Sequence, residues 1–144
     1  MKSIRAKNTI VSLVVTLLTY VFACHLLAGT PEIRVNVTAP SGDTADNEQM
    51  VSALSHEFRK LDGVLVTDTK PMLNISCIVA PMETKRTRIG YAASIAITAA
   101  DGRLITHSIQ TAPTIDAIAH TVAISIDGRI LEQLRRAAQE PSSR

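Results

Sequence analysis

The sequence predicts an α/β chain of the α+β type, a two-layer sandwich in which a mixed sheet of four to five strands carries two helices on one face. Segments with alternating apolar residues, such as "EIRVNV", indicate strands with one buried face. Two longer segments have apolar residues at the spacing of a single helical face. A two-layer arrangement with both helices on the same side of the sheet buries all of these faces together.

The composition indicates a single domain with an aliphatic core. The chain has 144 residues, of which 46% are hydrophobic and 3% aromatic, and it contains no tryptophan. From residue 30 onward, 12 Lys and Arg residues stand against 13 Asp and Glu residues, which gives a net charge of −1 (12 − 13). A nucleic-acid-binding protein normally needs a basic surface that releases counterions. We therefore expect no nucleic-acid partner.

Residues 1–29 are predicted to be an export helix, either a signal peptide or a membrane anchor. Basic residues precede an apolar run of 18 residues, Ile10–Leu27, and about 20 residues are typical of a membrane-spanning helix. Three fates stay open: cleavage after Ala28 or Gly29, lipidation at Cys24 within the lipobox-like "VFAC", and retention as an anchor. Each fate predicts a periplasmic domain or a membrane-anchored domain that faces the periplasm, over residues 30–138, with a disordered tail at 139–144.

The first two elements of the domain are a strand and a helix. The strand is predicted over Glu32–Thr38 and ends at Pro40. Asp46 is predicted as the N-cap of the helix, with Gln49 completing a capping box, and Gly63 follows its last turn. The apolar stripe of this helix is Met50, Val51, Leu54, Phe58 and Leu61.

Three or four strands and a second helix are predicted to follow. A short strand lies in "VLVTD", and a longer one in "PMLNISCIVAP" is bounded by Pro71 and Pro81. Two alternating runs flank Asp101-Gly102, which predicts a hairpin with a tight turn. Thr114 is predicted to cap the last helix, with a kink or break near Asp127-Gly128. The apolar stripe of that helix is Ile115, Ile118, Ala119, Val122, Ile126, Ile130 and Leu134.

The sequence contains no pattern typical of an enzyme, a metal site or a cofactor site. No serine lies in a GxSxG or SxxK motif, and the glycines are too dispersed for a phosphate-binding loop. The histidines lack metal-ligand spacing, so His107 and His120 are only a weak pair. Cys77 is expected to be a small buried residue of a strand. We expect neither catalysis nor a cofactor.

Two segments are candidate contact sites for a partner. Lys85, Arg86 and Arg88 form a basic connection, either a solvated loop that protects a sheet edge or a contact for an acidic surface or anionic headgroups. The strand Glu32–Thr38 is expected to be an exposed edge that accepts a partner strand.

The segments "EIRVNV", "GYAASIAITAADGRLITHSIQT" and "AHTVAISIDGRILEQL" resemble the amino-terminal α/β domain of the periplasmic protein TolB. The resemblance covers roughly residues 32–134. It implies a module that contacts other envelope proteins, with Glu32, Ile33, Arg34 and Val35 among its contact residues. TolB continues into a β-propeller, and we predict no propeller within these 144 residues, so the resemblance does not imply the partners of the propeller.

We predict a non-enzymatic protein–protein interaction module of the bacterial cell envelope, with membrane association through the N-terminal segment and with envelope partners of unknown identity. A first alternative is a small extracytoplasmic ligand-binding domain, which requires an apolar pocket between the sheet and the helices. A second alternative is a hydrolase or metal-dependent enzyme, which requires His107, His120 and an acidic residue to converge.

Overall fold

The computed structural model describes residues 32–39 and 44–139. The predicted export helix, with Cys24, and the C-terminal residues 140–144 lie outside the described residues. No helix within the described ranges is both long enough and apolar enough to cross a membrane. The strands are β1 (Ile33–Thr38), β2 (Val64–Val66), β3 (Leu73–Glu83), β4 (Arg88–Ala99) and β5 (Leu104–Ala112), and the helices are α1 (Ala45–Arg59), α2 (Ile115–Ile126) and α3 (Glu132–Gln139).

The five strands form one mixed sheet with the order β2-β1-β3-β4-β5. β1 runs parallel to both of its neighbours, and β3, β4 and β5 follow one another as antiparallel hairpins. The helices cover one face of the sheet, which confirms the predicted two-layer α+β fold.

The expectation that Glu32–Thr38 is an exposed edge is wrong, because β1 lies between β2 and β3. The Ile33 N–H donates to the Gly63 carbonyl at 2.7 Å on the β2 side. The Met72 N–H donates to the Arg34 carbonyl at 2.8 Å on the β3 side. After β1 the chain crosses over through α1 into β2, which has only three residues. β2 lies beside β1 and takes the edge position.

The helix-facing side of the sheet and the inner faces of α1 and α2 form one aliphatic core. Side chains along β1 and β3 alternate between buried and less buried positions, as the sequence predicted. Phe58 is the only aromatic side chain among the buried residues of the described ranges. The largest fully buried side chains are Phe58, Ile33, Met50, Leu54, Ile75, Ile95, Ile115, Ile118, Leu131, Val35 and Cys77.

Threonine residues cap both long helices. The Thr114 hydroxyl accepts a hydrogen bond from the Ala117 N–H at 3.2 Å, as predicted. For α1 the predicted cap is wrong, since Thr44 accepts from the Asn47 N–H at 3.3 Å and Asp46 lies in the first helical turn. An N-cap needs an extended backbone, which Thr44 has, and a carboxylate in the first turn still interacts favourably with the helix dipole.

The side chain of Asn47 takes the place of a missing strand beside β3. The pairing of β1 with β3 stops at Thr38 and Ser76, so beyond that point no strand of the described ranges pairs with β3 on this side. The Asn47 side-chain oxygen accepts a hydrogen bond from the Val79 N–H at 2.9 Å. Asn47 is 4% exposed, so this bond is shielded from water. It anchors the first turn of α1 to the sheet.

A π-helical segment, Asp127–Leu131, joins α2 to α3 where the sequence predicts a kink or break. The Glu132 N–H donates to the Asp127 carbonyl, a hydrogen bond that spans five residues instead of four. Because of the extra residue, the next buried side chain after Ile126 is that of Leu131, five residues later, and it is fully buried. Arg129 consequently lies at the surface, although a continuous α-helix would bring it close to the core-facing line of α2.

Candidate binding surfaces

The outer edge of β5 is the longest unpaired strand edge among the described residues. β5 pairs with β4 on one side only and has nine residues, whereas β2 at the other end of the sheet has three. The register of the β4–β5 pairing shifts once, between Ile97 and Thr98, near the start of β5. From Thr106 to Ala112 the pairing is regular, so this stretch presents a continuous row of main-chain donors and acceptors.

The composition of β5 leaves this edge without the usual protection against strand pairing. β5 contains no Asp, Glu, Lys, Arg or Pro. Three of its apolar side chains are exposed: Leu104 by 59%, Ile105 by 42% and Ile109 by 68%. Native edges are commonly blocked by charged side chains, by prolines, by bulges or by short length. Beyond the irregularity near Ile105, β5 has none of these features.

The face of the sheet turned away from the helices exposes apolar side chains at Ile78 and Ile109. The register places Ile78, Ser94 and Ile109 in one row across β3, β4 and β5. Ile78 is 45% exposed, and alanines dominate the neighbouring row. The imidazole of His107 is hydrogen-bonded to the Ser94 hydroxyl at 2.9 Å on this same face. The open face is therefore apolar beside β5 and uncharged at its centre.

The predicted basic connection is shorter than expected, because β3 continues through Pro81 to Glu83 and β4 begins at Arg88. Proline is tolerated in β3 at this position, since β1 has already ended and no strand needs its missing N–H. Lys85 and Arg86 form the tip of the hairpin, and both are exposed.

Arg88 is held against the hairpin by its neighbours. Its guanidinium donates to the Tyr91 hydroxyl at 2.9 Å and lies 5.3 Å from the centre of the Tyr91 ring. Ion pairing with Glu83 at 3.4 Å partly neutralises its charge. The hydrogen bond with Tyr91 also raises the pKa of Arg88. Lys85 and Arg86 therefore carry the net positive charge of the tip.

The two predicted contact segments lie at opposite ends of the sheet. Val35 pairs with Leu73 at the start of β3, whereas Lys85 follows the end of that strand. Ten residues of strand separate these ends by about 33 Å. The side chains of Ile33 and Val35 are buried, and Arg34 and Glu32 are the more accessible residues of this segment. The structure does not bring the two segments together.

The histidines do not converge, so the arrangement required by the hydrolase or metal-enzyme alternative is absent from the described residues. His107 lies on the open sheet face, whereas His120 on α2 pairs with Glu57 of α1 at 2.9 Å. No group of three His, Cys, Asp or Glu residues within the described ranges could hold a metal ion. Cys77 is fully buried, and burial raises its pKa to about 11, which opposes formation of a thiolate.

The pair formed by Glu57 and His120 connects the two long helices. The hydrogen bond from His120, with a second from Lys60, lowers the pKa of Glu57 from 4.5 to about 2. The His120 side chain is 64% exposed, so water screens this interaction strongly. The arrangement is that of a surface ion pair between helices.

A cleft of about 320 Å³ opens between β5 and the helix layer. Thr106, Ser108 and Gln110 occupy the helix-facing side of β5, and the short side chains of Thr106 and Ser108 leave space beside α2. The side chains that line the cleft are Ile95, Ile97, Ile105, Thr106, Ser108, Gln110, Val122, Ser125, Ile126, Arg129, Ile130 and Gln133. The first alternative interpretation of the sequence requires an apolar pocket between sheet and helices, and this cleft has that position.

The sequence analysis predicted β5 as one arm of a hairpin, but it did not identify the β5 edge as a candidate binding surface, and it did not locate the cleft. A signal was present in "RLITHSIQT", where Thr106, Ser108 and Gln110 alternate with Ile105 and Ile109. The side chains of β4 on this face, Ile95 and Ile97, are buried beneath the helices. Polar residues at the paired positions of β5 therefore indicate that the helices do not fully cover this strand. Our interpretation counted only the alternation, and alternation alone does not reveal which strand is outermost.

Comparison with known proteins finds solved structures whose fold is similar to that of this chain. No protein-family model matches the chain, and no curated protein matches it. A PelC dodecamer from Paraburkholderia phytofirmans is similar with a TM-score of 0.48 and 11% identity, over 69% of this chain and 86% of that chain. A minor lipoprotein from Acinetobacter baumannii is similar with a TM-score of 0.48 and 11% identity, over 66% of this chain and 92% of that chain.

A DUF330 protein from Xanthomonas campestris is also similar, with a TM-score of 0.49 and 10% identity, over 78% of this chain and 95% of that chain. The TolB amino-terminal domain is not among these three structures. The finer resemblance to TolB stays a prediction.

Proposed function

We propose that this chain is a non-enzymatic protein–protein interaction module of the bacterial cell envelope that binds an extended segment of a partner protein along β5. The observation that carries the proposal is the regular and uncharged edge from Thr106 to Ala112, which pairs with no other strand of the described ranges on its outer side. Such an edge offers main-chain hydrogen bonds to an added strand, and alternate side chains of that strand select the partner. The basic n-region and apolar run of residues 1–29 support the envelope location.

The occupant we infer is a strand of about seven uncharged residues with an acidic residue at one end. Ala112 pairs with Tyr91, and the β3–β4 hairpin extends from there to its tip at Lys85 and Arg86. Four residues of strand between Tyr91 and Thr87 correspond to about 13 Å. An acidic side chain that follows the added strand at the Ala112 end would meet this positive charge. The basic connection in the sequence is thereby part of the same surface.

Site-specific photo-crosslinking in cells tests the proposal with the full-length chain. Photoreactive residues at Ile109, on β5, and at Arg86, on the hairpin tip, are expected to capture the same envelope protein. A residue at Ser52, which is exposed on α1, serves as the control position, because α1 packs over β1, β2 and β3. We expect no capture of that protein from Ser52.

A pair of matched substitutions identifies the surface that is used. Ile109→Lys places a charge on the edge strand, which is expected to abolish capture through Arg86. Ile78→Lys places the same charge on the same face of the sheet but on β3, which β4 separates from β5. This substitution is expected to leave capture intact. Equal loss with both variants would assign binding to the open face and refute edge pairing. Capture of a second copy of this chain alone would replace the partner segment with self-association.

A further inference from the structure

We propose that the cleft between β5 and α2 binds a small amphiphile, with the apolar chain in the cleft and an anionic headgroup at Arg129. This inference concerns a site other than the β5 edge and goes beyond the proposed function. Its basis is the division of the cleft into an apolar floor and a polar rim that carries one charged side chain.

The floor of the cleft is aliphatic. Ile95 and Ile97 of β4 form its base, and Val122 and Ile126 of α2 form one wall. All four side chains are at least 95% buried, so the floor is shaped by the core of the protein. A volume of about 320 Å³ corresponds to roughly ten water molecules at about 30 Å³ each. An unbranched chain of roughly eight carbon atoms with a small headgroup suits this size.

The rim is polar, and Arg129 is the only charged side chain among the described residues that line the cleft. Its neighbours along the chain are acidic, but their charges are already paired. Asp127 lies 2.7 Å from the Arg135 guanidinium, and Glu132 lies 2.9 Å from Arg136. Among the described residues, no carboxylate forms an ion pair with Arg129. The guanidinium is therefore available to a carboxylate or phosphate group of a ligand.

The π-helical segment places Arg129 at this rim. The extra residue brings Leu131 into the core and leaves Arg129 exposed beside Ile130, which lines the cleft. π-helical turns occur frequently at functional sites. The position of Arg129 and the burial of Leu131 thus have one cause, and this position of Arg129 gives the rim a positive charge.

Isothermal titration calorimetry tests the assignment on the full-length chain held in nanodiscs of zwitterionic phosphatidylcholine, with empty nanodiscs subtracted. The ligands are octanoate, octyl phosphate, octanol and octyltrimethylammonium, which share one chain length. We expect the two anions to bind most tightly and the cation most weakly. Tighter binding of octyl phosphate than of octanoate would assign a phosphate headgroup, and the reverse would assign a carboxylate. Equal affinity for all four ligands would overturn the role of Arg129.

Two substitutions separate the headgroup from the chain. Arg129→Gln is expected to weaken binding of the anions by about three- to fivefold, the range of an exposed ion pair, and to leave octanol unchanged. Arg136→Gln removes the same charge from a position outside the cleft and serves as the control. An equal effect of both substitutions would reduce Arg129 to a contributor of net charge and overturn the headgroup assignment.

Ser125→Leu is expected to fill the cleft and to reduce binding of every ligand at least tenfold. Ala117→Leu adds the same side chain to an exposed position of α2 outside the cleft and is expected to have no effect. Binding that survives Ser125→Leu in a chain with an unchanged thermal midpoint would overturn the cleft as the site. Crosslinking from Ile109 does not depend on this result, so failure of one proposal is distinguishable from failure of the other.

Discussion

The hydrogen bond between Asn47 and Val79 provides a sharp test of how this sheet is held together. Asn47→Ala removes the side-chain oxygen that accepts from the Val79 N–H at 2.9 Å. No strand in the part of the chain that the structure describes can replace this acceptor, because β1 has ended at Thr38. The site is shielded, since Asn47 is 4% exposed. The substitution therefore leaves a buried N–H without an acceptor.

The expected loss of stability follows from the burial of that N–H group. A buried donor left without a partner costs about 1–3 kcal/mol, so we expect a loss of about 2 kcal/mol. For a domain of about 100 residues, 1 kcal/mol lowers Tm by roughly 4–8 °C, which predicts a decrease of roughly 8–16 °C. Local opening at Val79 should become about 30-fold more frequent for the same 2 kcal/mol.

The assay combines thermal unfolding with hydrogen exchange measured by mass spectrometry on peptides that span β3. Asn36→Ala is the matched control, because it removes a side-chain hydrogen bond to Asn74 at 3.2 Å in a partly exposed position. We expect this control to cost less than about 1 kcal/mol. If Asn47→Ala destabilises the protein no more than the control does, or if exchange at Val79 is unchanged, the argument from the missing strand is refuted.

Three further predictions concern packing, ionisation and reactivity. Gly90→Ala places a Cβ atom 2.6 Å from the Ala112 carbonyl oxygen at a φ of +153° and should cost about 1–3 kcal/mol, measured as a shift of the denaturation midpoint. Because the hydrogen bond from His120 lowers the pKa of Glu57 to about 2, the stabilising effect of the ionised form is complete above about pH 4.5 and is lost as the pH falls towards 2. Glu57→Gln should flatten the decline of the unfolding midpoint over that interval, and an unchanged slope would contradict the pairing. Iodoacetamide at pH 8 should modify the Cys77 peptide only after unfolding, since burial raises the pKa of this thiol to about 11; rapid modification of the folded chain would disprove its burial.

The elements of the fold could be predicted from the sequence because burial leaves a periodic trace in each of them. The alternation of Ile33, Val35 and Val37 corresponds to a strand whose inner side chains are all buried. The hairpin turn at Asp101-Gly102 is also present, with Gly102 at a φ of +82°. These features depend on neighbouring residues, so a local pattern is sufficient to reveal them.

The order of the strands could not be predicted in the same way, because it depends on pairing between distant segments. β1 and an edge strand have the same alternating pattern, and only the positions of Val64 and Leu73 on its two sides make β1 internal. The N-cap of α1 shows a related difficulty, since Thr44 and Asp46 are both suitable residue types and the backbone conformation decides between them. The exposed edge depends on strand order, and the sequence analysis therefore located it at β1 instead of β5.

The π-helical segment makes the rim of the cleft sensitive to chain length. One residue fewer between Ile126 and Leu131 would let α2 and α3 join as a regular helix. Leu131 would then follow Ile126 by four residues and stay in the core, because residues four apart lie on the same face of an α-helix. The rim would change instead, since the segment would lack the extra residue that leaves Arg129 at the surface beside the cleft. In an alignment of related sequences, a one-residue gap at this point would therefore mark chains that keep the sheet and lose the charged rim.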